Sequence, residues 1–460
     1  MKKTVVRAIC FTVMGLIFAA VLAGNIVAAH FSDLITEVFH GAGISYEGEN
    51  VEQALEFSDQ LCQDMTEEGI ILLENKETDG KAALPLTEDE AKKVNVFGWG
   101  ASDGGWIFGS DGSANSNSGT SRAKVKMLTD ALENAEIQYN TELMDMYTAF
   151  RDKRAGVRAL TENMKFYMLI EPGREAYDEI GENDKTILEN AKDFSDVAIV
   201  VLGRMGGEGT DLPFMQYLNT TGKYSVNDNM PTDTSRTYLD ISTYEEDLLE
   251  MVTENFGKVI VLINTCNTMN LNFIDRYDNI DAVLQVNGMG QSGTYAIPKV
   301  LTGEVDPSAK TTATQPYDLS TDPTFMNAGG RTATKGYVTY AEDIYVGYKW
   351  YETADAEGYW DDVDNEYGKG YEGVVQYPFG YGLSYTTFDW QIESAEPAAG
   401  SSIAKETEKI SVRVRVTNTG DVSGRDVVQL YYTPPYTDGG TEKSAVNLVA
   451  FAKASGLEPG

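Results

Sequence analysis

At 460 residues, 42% of them hydrophobic and 23% charged, the chain is long enough for two or three domains with cores of their own and ordinary enough in composition to be globular. Its 36 Lys+Arg stand against 71 Asp+Glu, a formal net charge of -35, which repels nucleic-acid phosphates and anionic headgroups and excludes polyanion binding. The 2 histidines, His30 and His40, and the 3 cysteines, Cys10, Cys62 and Cys266, argue against a Ser-His-Asp triad, a Cys-His pair, a histidine-ligated zinc site or a disulfide framework in the folded part. Acid–base chemistry there falls to carboxylates, tyrosine or lysine.

Lys2, Lys3 and Arg7 precede an apolar run over residues 8–29. A positive flank ahead of such a run marks the downstream chain for export. The run is nearer the ~20 residues that span a bilayer than the ~7 to 15 of a signal-peptide core, which predicts an N-terminal transmembrane helix acting as a signal anchor. Residues 1–30 are therefore a signal anchor or, if cleavage occurs after Val27-Ala28-Ala29, a signal peptide of a secreted protein.

From Val51 to Leu73 apolar residues recur at helical spacing and predict an amphipathic helix. A strand over 94–97, a helix over 124–135, a strand over 197–202, a helix over 243–255, strands over 259–263 and 282–286 and a helix over 294–301 come next. Buried strands alternating with helices predict a layered α/β sandwich with a mainly parallel sheet. Residues 378–388, rich in aromatics and glycine, read as an extended strap. Beyond it, alternation over 410–416, a turn at Asn418-Thr419-Gly420-Asp421 and an apolar strand over 427–432 predict the start of an all-β sandwich near Gln391. About 70 residues are left for it, where such a sandwich takes roughly 100.

The strand over 197–202 runs into Gly203-Arg204-Met205-Gly206-Gly207-Glu208-Gly209-Thr210-Asp211. The carboxyl end of a buried parallel strand is where α/β sheets put their working loops, and Glu208 sits among glycines that block no ligand. Taken alone, such a loop reads more readily as an acidic surface turn than as a site. Gly98-Trp99-Gly100-Ala101-Ser102-Asp103-Gly104 also comes after a strand, but its spacing is one residue too long for a dinucleotide fingerprint. A polar loop, 109–119, stands where a helix would have to receive pyrophosphate. That loop is a solvated connection or a rim that hydrogen-bonds a hydroxyl-rich ligand. Gly290-Gln291-Ser292-Gly293 lacks the last glycine of a nucleophile elbow and reads as a strand-to-helix turn. Tyr345, Tyr348, Trp350, Tyr351 and the aromatics of 377–388 stack on sugars or pack the strap onto the sheet.

Taken in order, Gly69-Ile70-Ile71-Leu72-Leu73-Glu74-Asn75 with Leu84-Pro85-Leu86, the loop from Gly203 to Asp211, Leu301-Thr302-Gly303-Glu304-Val305-Asp306-Pro307-Ser308, Ile344-Tyr345-Val346-Gly347-Tyr348-Lys349, the strap and the turn around Asn418 resemble the family 3 glycoside hydrolases. The resemblance is to their α/β-sandwich domain, here 45–390, and to the fibronectin type III-like, immunoglobulin-like domain that accompanies it, here 391–460 and truncated. Glu74 stands where a lysine is usual, and Ala309-Lys310 departs after Pro307-Ser308.

The resemblance implies a retaining exo-acting hydrolase of β-linked sugars, most often a β-glucosidase, that takes an oligosaccharide or β-glucoside and needs no metal or organic cofactor. It makes Glu208 the acid/base, with a pKa raised by desolvation and a neighbouring carboxylate, and has Arg204 and Asp211 position the loop or contact sugar hydroxyls. The family's nucleophile belongs to a (β/α)8 barrel of ~250 residues that has no place in this chain. The barrel is expected beyond residue 460, in an inverted-order enzyme of which this chain alone is inactive. The rival reading is a non-catalytic, membrane-tethered module that binds saccharide or protein.

Overall fold

The computed structural model describes residues 13–15, 21, 49–102, 105–109, 125–152, 171–204, 206, 216, 235–325, 327, 340, 342–402 and 409–460. The chain divides into two compact units, Met1–Ser58 and Asp59–Gly460. Of the expected transmembrane helix over 8–29, residues 13–15 and 21 are helical and the rest lie outside the described residues. Among the described residues no helix is long and apolar enough to cross a membrane.

Helix α1 (Glu49–Glu67) stops short of the predicted end. Its last turn tightens, with the Gly69 and Ile70 N–H groups both donating to the Thr66 carbonyl, and the next apolar residues become strand β1 (Ile71–Asn75). A run of four apolar residues fits a helix face and a buried strand equally well, so periodicity alone extended the helix too far.

A six-stranded sheet forms the centre of the second unit. Its other members are β2 (Lys93–Phe97), β3 (Gln138–Tyr139), β4 (Val197–Leu202), β5 (Lys258–Ile263) and β6 (Ala282–Gln285), in the spatial order β1-β6-β5-β4-β2-β3. All neighbours run parallel except β1, which pairs antiparallel with β6 at one edge. Alternate residues of β4 enter two different cores: Ala198, Val200 and Leu202 pack on one face of the sheet, Val197, Ile199 and Val201 on the other.

Helices cover both faces, as a parallel sheet requires. The first face packs against α3 (Thr141–Asp152), α4 (Ile187–Phe194) and α5 (Thr243–Asn255) through Leu143, Ala191 and Leu249. The second packs against α2 (Leu128–Asn134) and α6 (Ala296–Thr302) through Leu132 and Val300. Helix α5 has the predicted bounds and begins with a capping box, Ser242 Oγ accepting from the Glu245 N–H while the Glu245 carboxylate accepts from the Ser242 N–H.

Past α6 come the short strand β7 (Gln315–Pro316), helix α7 (Tyr348–Ala356) and β8 (Val375–Tyr377), which pairs with β7. The strap then crosses the sheet edge with no regular structure. Leu383 bridges to Leu72, the Tyr381 hydroxyl donates to the Leu73 carbonyl and that of Tyr385 to the Val300 carbonyl, so these aromatics pack and tie the strap down. Strand β9 (Phe388–Glu396) then pairs with β10 (Ser411–Asn418), and β11 (Val427–Tyr432) with β12 (Asn447–Lys453), as two antiparallel two-stranded sheets.

Candidate active site

From β2 the chain runs outward to β3 and returns to lay β4, β5 and β6 on the other side of β2. Numbered along the chain, the five parallel strands lie in the order 2-1-3-4-5, the flavodoxin-like arrangement. Connections leaving the carboxyl ends of β2 and β4 therefore diverge, and the crevice between them is where doubly wound sheets bind ligands.

At the β2 end, Gly98 adopts φ +97°, and a Cβ there would collide with the Val201 carbonyl oxygen of β4, so glycine is what allows the turn to approach its neighbour. The Gly98 N–H donates to the Tyr147 hydroxyl at 2.7 Å, and the Trp99 N–H to Glu171 Oε2 at 2.7 Å. Tyr147 and Tyr177 share a hydrogen bond of 2.6 Å, and burial pushes both phenols far above their ordinary range, keeping them neutral. A 3-10 turn, Trp99–Ala101, comes after Gly98 where a dinucleotide site would start its helix.

At the β4 end stands Arg204, fully buried at 0% exposure against a Glu245 at 1%. Its two terminal nitrogens donate to Glu245 Oε1 and Oε2 at 2.7 Å each, a bidentate pair suited to the planar guanidinium. The remaining N–H groups reach the carbonyls of Tyr238 at 2.8 Å, Gly203 at 2.8 Å and Asp240 at 2.5 Å. All five donors are thus engaged by the protein, and none is left for a sugar hydroxyl. Of the two roles expected for Arg204, this geometry serves positioning: the Glu245 carboxylate that caps α5 also fixes the root of the loop after β4. Glu208 and Asp211, expected on that loop, lie outside the described residues.

Two further strand ends lock onto these. Asn264, just past β5, accepts from the Ile107 N–H at 2.7 Å and donates to the carbonyls of Ile107 at 2.8 Å and Asn287 at 3.1 Å, tying together the segments that leave β2, β5 and β6. Thr265 donates to the Arg204 carbonyl at 2.8 Å. The sequence reading missed Glu245, Asn264 and Thr265. Ser242-Thr243-Tyr244-Glu245 carried a capping-box signal for the first, whereas nothing local marks the other two. Among the described residues no cluster of three or more His, Cys, Asp or Glu side chains could hold a metal ion.

Residues 70–348 match the glycosyl hydrolase family 3 C-terminal domain. The chain is 31% identical over 426 residues to β-glucosidase A of Butyrivibrio fibrisolvens, covering 90% of this chain and 46% of that protein. It is 28% identical over 406 residues to a β-glucosidase of Ruminococcus albus, covering 87% of this chain and 34% of that protein. The solved structure of β-glucosidase 3B from Thermotoga neapolitana in complex with α-D-glucose aligns with a TM-score of 0.64 at 27% identity, over 92% of this chain and 49% of that one. The chain spans less than half the length of these relatives. With more than half of its residues matched by the family's own domain, and with the sheet order and strand-end loops described above, the chain belongs to glycosyl hydrolase family 3 and carries that family's C-terminal domain.

Proposed function

We propose that this chain supplies the acid/base half of a retaining exo-hydrolase of β-linked sugars, a β-glucosidase in the first instance, with Glu208 as the proton donor. The observation that carries the reading is the anchorage of Arg204 by Glu245 at the β2/β4 crevice, four residues ahead of Glu208. A catalytic acid must be held to within about 0.5 Å of its working position, and a rigid buried root for its loop serves that need. Membership of the family, and relatives named as β-glucosidases, support the substrate class.

In the first step Glu208 protonates the glycosidic oxygen while a second carboxylate, ~5 to 5.5 Å away, attacks the anomeric carbon; in the second, Glu208 takes a proton from water. Arg204 acts as a positioning residue, and Asp211 holds the loop or a sugar hydroxyl. The second carboxylate comes from a (β/α)8 barrel beyond residue 460, for which the greater length of the relatives leaves room. The α/β sandwich over 45–390 and the opening of a fibronectin type III-like domain over 391–460 complete the proposed organisation, the two antiparallel pairs β9/β10 and β11/β12 supporting the latter. The basic flank and apolar run of the N-terminus support an exported protein, anchored through 8–29 or released by cleavage. Carbonate extraction of membranes separates these two, an anchored protein remaining with the pellet.

In the protein that includes the barrel, Glu208→Ala is expected to lower aryl β-glucoside hydrolysis by roughly 10² or more, with recovery on adding azide, which replaces the missing base by attacking the glycosyl intermediate. Full activity in that variant would remove Glu208 from the mechanism. Saccharide binding with no hydrolysis in the unmutated protein would establish the non-catalytic module instead.

A further inference from the structure

The ladder between β4 and β5 runs one step past the end of β5, where the Asn264 N–H donates to the Leu202 carbonyl at 2.8 Å. The next carbonyl pointing the same way, that of Arg204, is reached by a side chain: the Thr265 hydroxyl, at 2.8 Å. Arg204 is thereby gripped twice, its guanidinium by Glu245 and its main chain by Thr265. Thr265 and Glu245 are each 1% exposed, so water does not compete for either grip. The single proton of the Thr265 hydroxyl serves two carbonyls at 2.8 Å, those of Arg204 and Asn267, and its oxygen accepts from the Asn267 N–H at 3.2 Å. The oxygen therefore bridges the segment after β5 to the root of the loop after β4.

A bridge positions nothing unless its own base is fixed. Asn264, buried beside it, fixes that base. Its amide pairs with both the N–H and the carbonyl of Ile107, as a neighbouring strand would, and its remaining amide proton goes to the Asn287 carbonyl. The side chain cannot turn without breaking three hydrogen bonds in a buried place. Two consecutive residues thus join the segments that leave β2, β4, β5 and β6. Folding needs a buried threonine hydroxyl to be bonded, but it does not need the bond to reach another strand end. Thr253, also buried, spends its hydroxyl on the Leu249 carbonyl of its own helix at 2.8 Å.

On the hydrolase reading above, we infer that Thr265 is a positioning residue for proton transfer to the glycosidic oxygen. Its hydroxyl fixes the main chain of Arg204, and with it the start of the loop that carries Glu208 four residues on. Thr265 acts through Arg204 and not on the substrate.

The test compares kcat/KM for two aryl β-glucosides in the protein that includes the barrel. Phenyl is a poor leaving group that needs a proton; 2,4-dinitrophenyl departs without one, so a misaligned acid slows only the first. Thr265→Val keeps the shape and removes the hydroxyl. It is expected to lower the phenyl value at least ~10-fold and to leave the dinitrophenyl value within ~3-fold, a displaced root being enough to misalign the acid. Thr265→Ser returns the hydroxyl and restores the ratio. Thr265→Ala serves as a second hydroxyl-free variant, and melting temperatures check that each protein is folded. Thr253→Val, which loses a buried hydroxyl bonded within α5, lowers the melting temperature without moving the ratio. An unchanged ratio in the folded hydroxyl-free variants, an equal change in Thr253→Val, or a serine variant that behaves like the valine one overturns the inference and leaves the hydrolase reading standing. No hydrolysis of either glucoside by the unmutated protein overturns the hydrolase reading, and the inference falls with it.

Discussion

The central sheet and the β9–β12 strands are built from similar residues to opposite effect. Every residue of β4 is buried, because helices close both faces. In β10 exposed and half-buried residues alternate along most of the strand, and Ile392 on β9 and Phe451 on β12 remain 71% and 72% exposed. An unbroken apolar run announces a strand enclosed on two sides; an alternating one announces a strand with a single face to bury, and that face still needs something opposite it. The first region excludes water by itself. The second has paired its strands but not covered them.

The largest expected effect tests whether the first region owes its working edge to one buried ion pair. Arg204→Ala strands the Glu245 carboxylate in the interior and is expected to cost about 3–5 kcal/mol in denaturant unfolding, while the double change Arg204→Met with Glu245→Leu returns most of it. A single-variant cost under ~1 kcal/mol would mean that the pair anchors nothing.

Next in size is a direct contrast between the regions. Ile199→Ala, at 0% exposure on β4, is expected to cost about 2–5 kcal/mol. Ile392→Ser, on the open face of β9, should stay within about 0.5 kcal/mol. Equal costs would erase the distinction between enclosed and uncovered strands.

The smallest effect concerns pH. Burial pushes the Glu90 carboxyl up, but hydrogen bonds from Lys258 and Thr87 outweigh it and hold the group at about 2. For Glu246, too, burial is outweighed by Arg236 and Arg276, and its value is lowered. Groups held lower in the folded than in the unfolded protein give stability that is present above the unfolded value, ~4.3 for glutamate, and fades as pH falls through the folded one. Glu90→Gln should therefore flatten the dependence of stability on pH between about 4.5 and 2, by on the order of 1 kcal/mol, because the half-buried carboxylate, 29% exposed, is still partly screened by solvent. An unchanged slope would dismiss the Glu90 contribution.

Much of the enclosed region was legible in the sequence. The strand at 197–202 and the helix at 243–255 have their predicted bounds, since long, strongly periodic or wholly apolar segments resist misreading. Helices α3 and α4 were not found: Met144, Tyr147 and Leu188 are spread among polar neighbours, and only the Thr186/Glu189 capping box marks the start of α4. Reading β1 as the tail of α1 shows the limit of a short apolar run. For the site, Glu208 and Asp211 of the loop after β4 lie outside the described residues, and the membership of the chain in its family stands on the match over 70–348. The lacing of Asn264, Thr265 and Arg204 was not legible, because hydrogen bonds between residues some sixty or more positions apart arise from sheet order, and a single strand's pattern does not encode sheet order.

Glu245 belongs at once to the cap of α5 and to the guanidinium of Arg204. Fraying of the first turn of α5 and release of Arg204 are consequently one event, not two. Amide exchange in that turn becomes a clock for the loop after β4: the rate at which the Glu245 N–H trades its proton for deuterium sets an upper limit on how often the loop's root lets go.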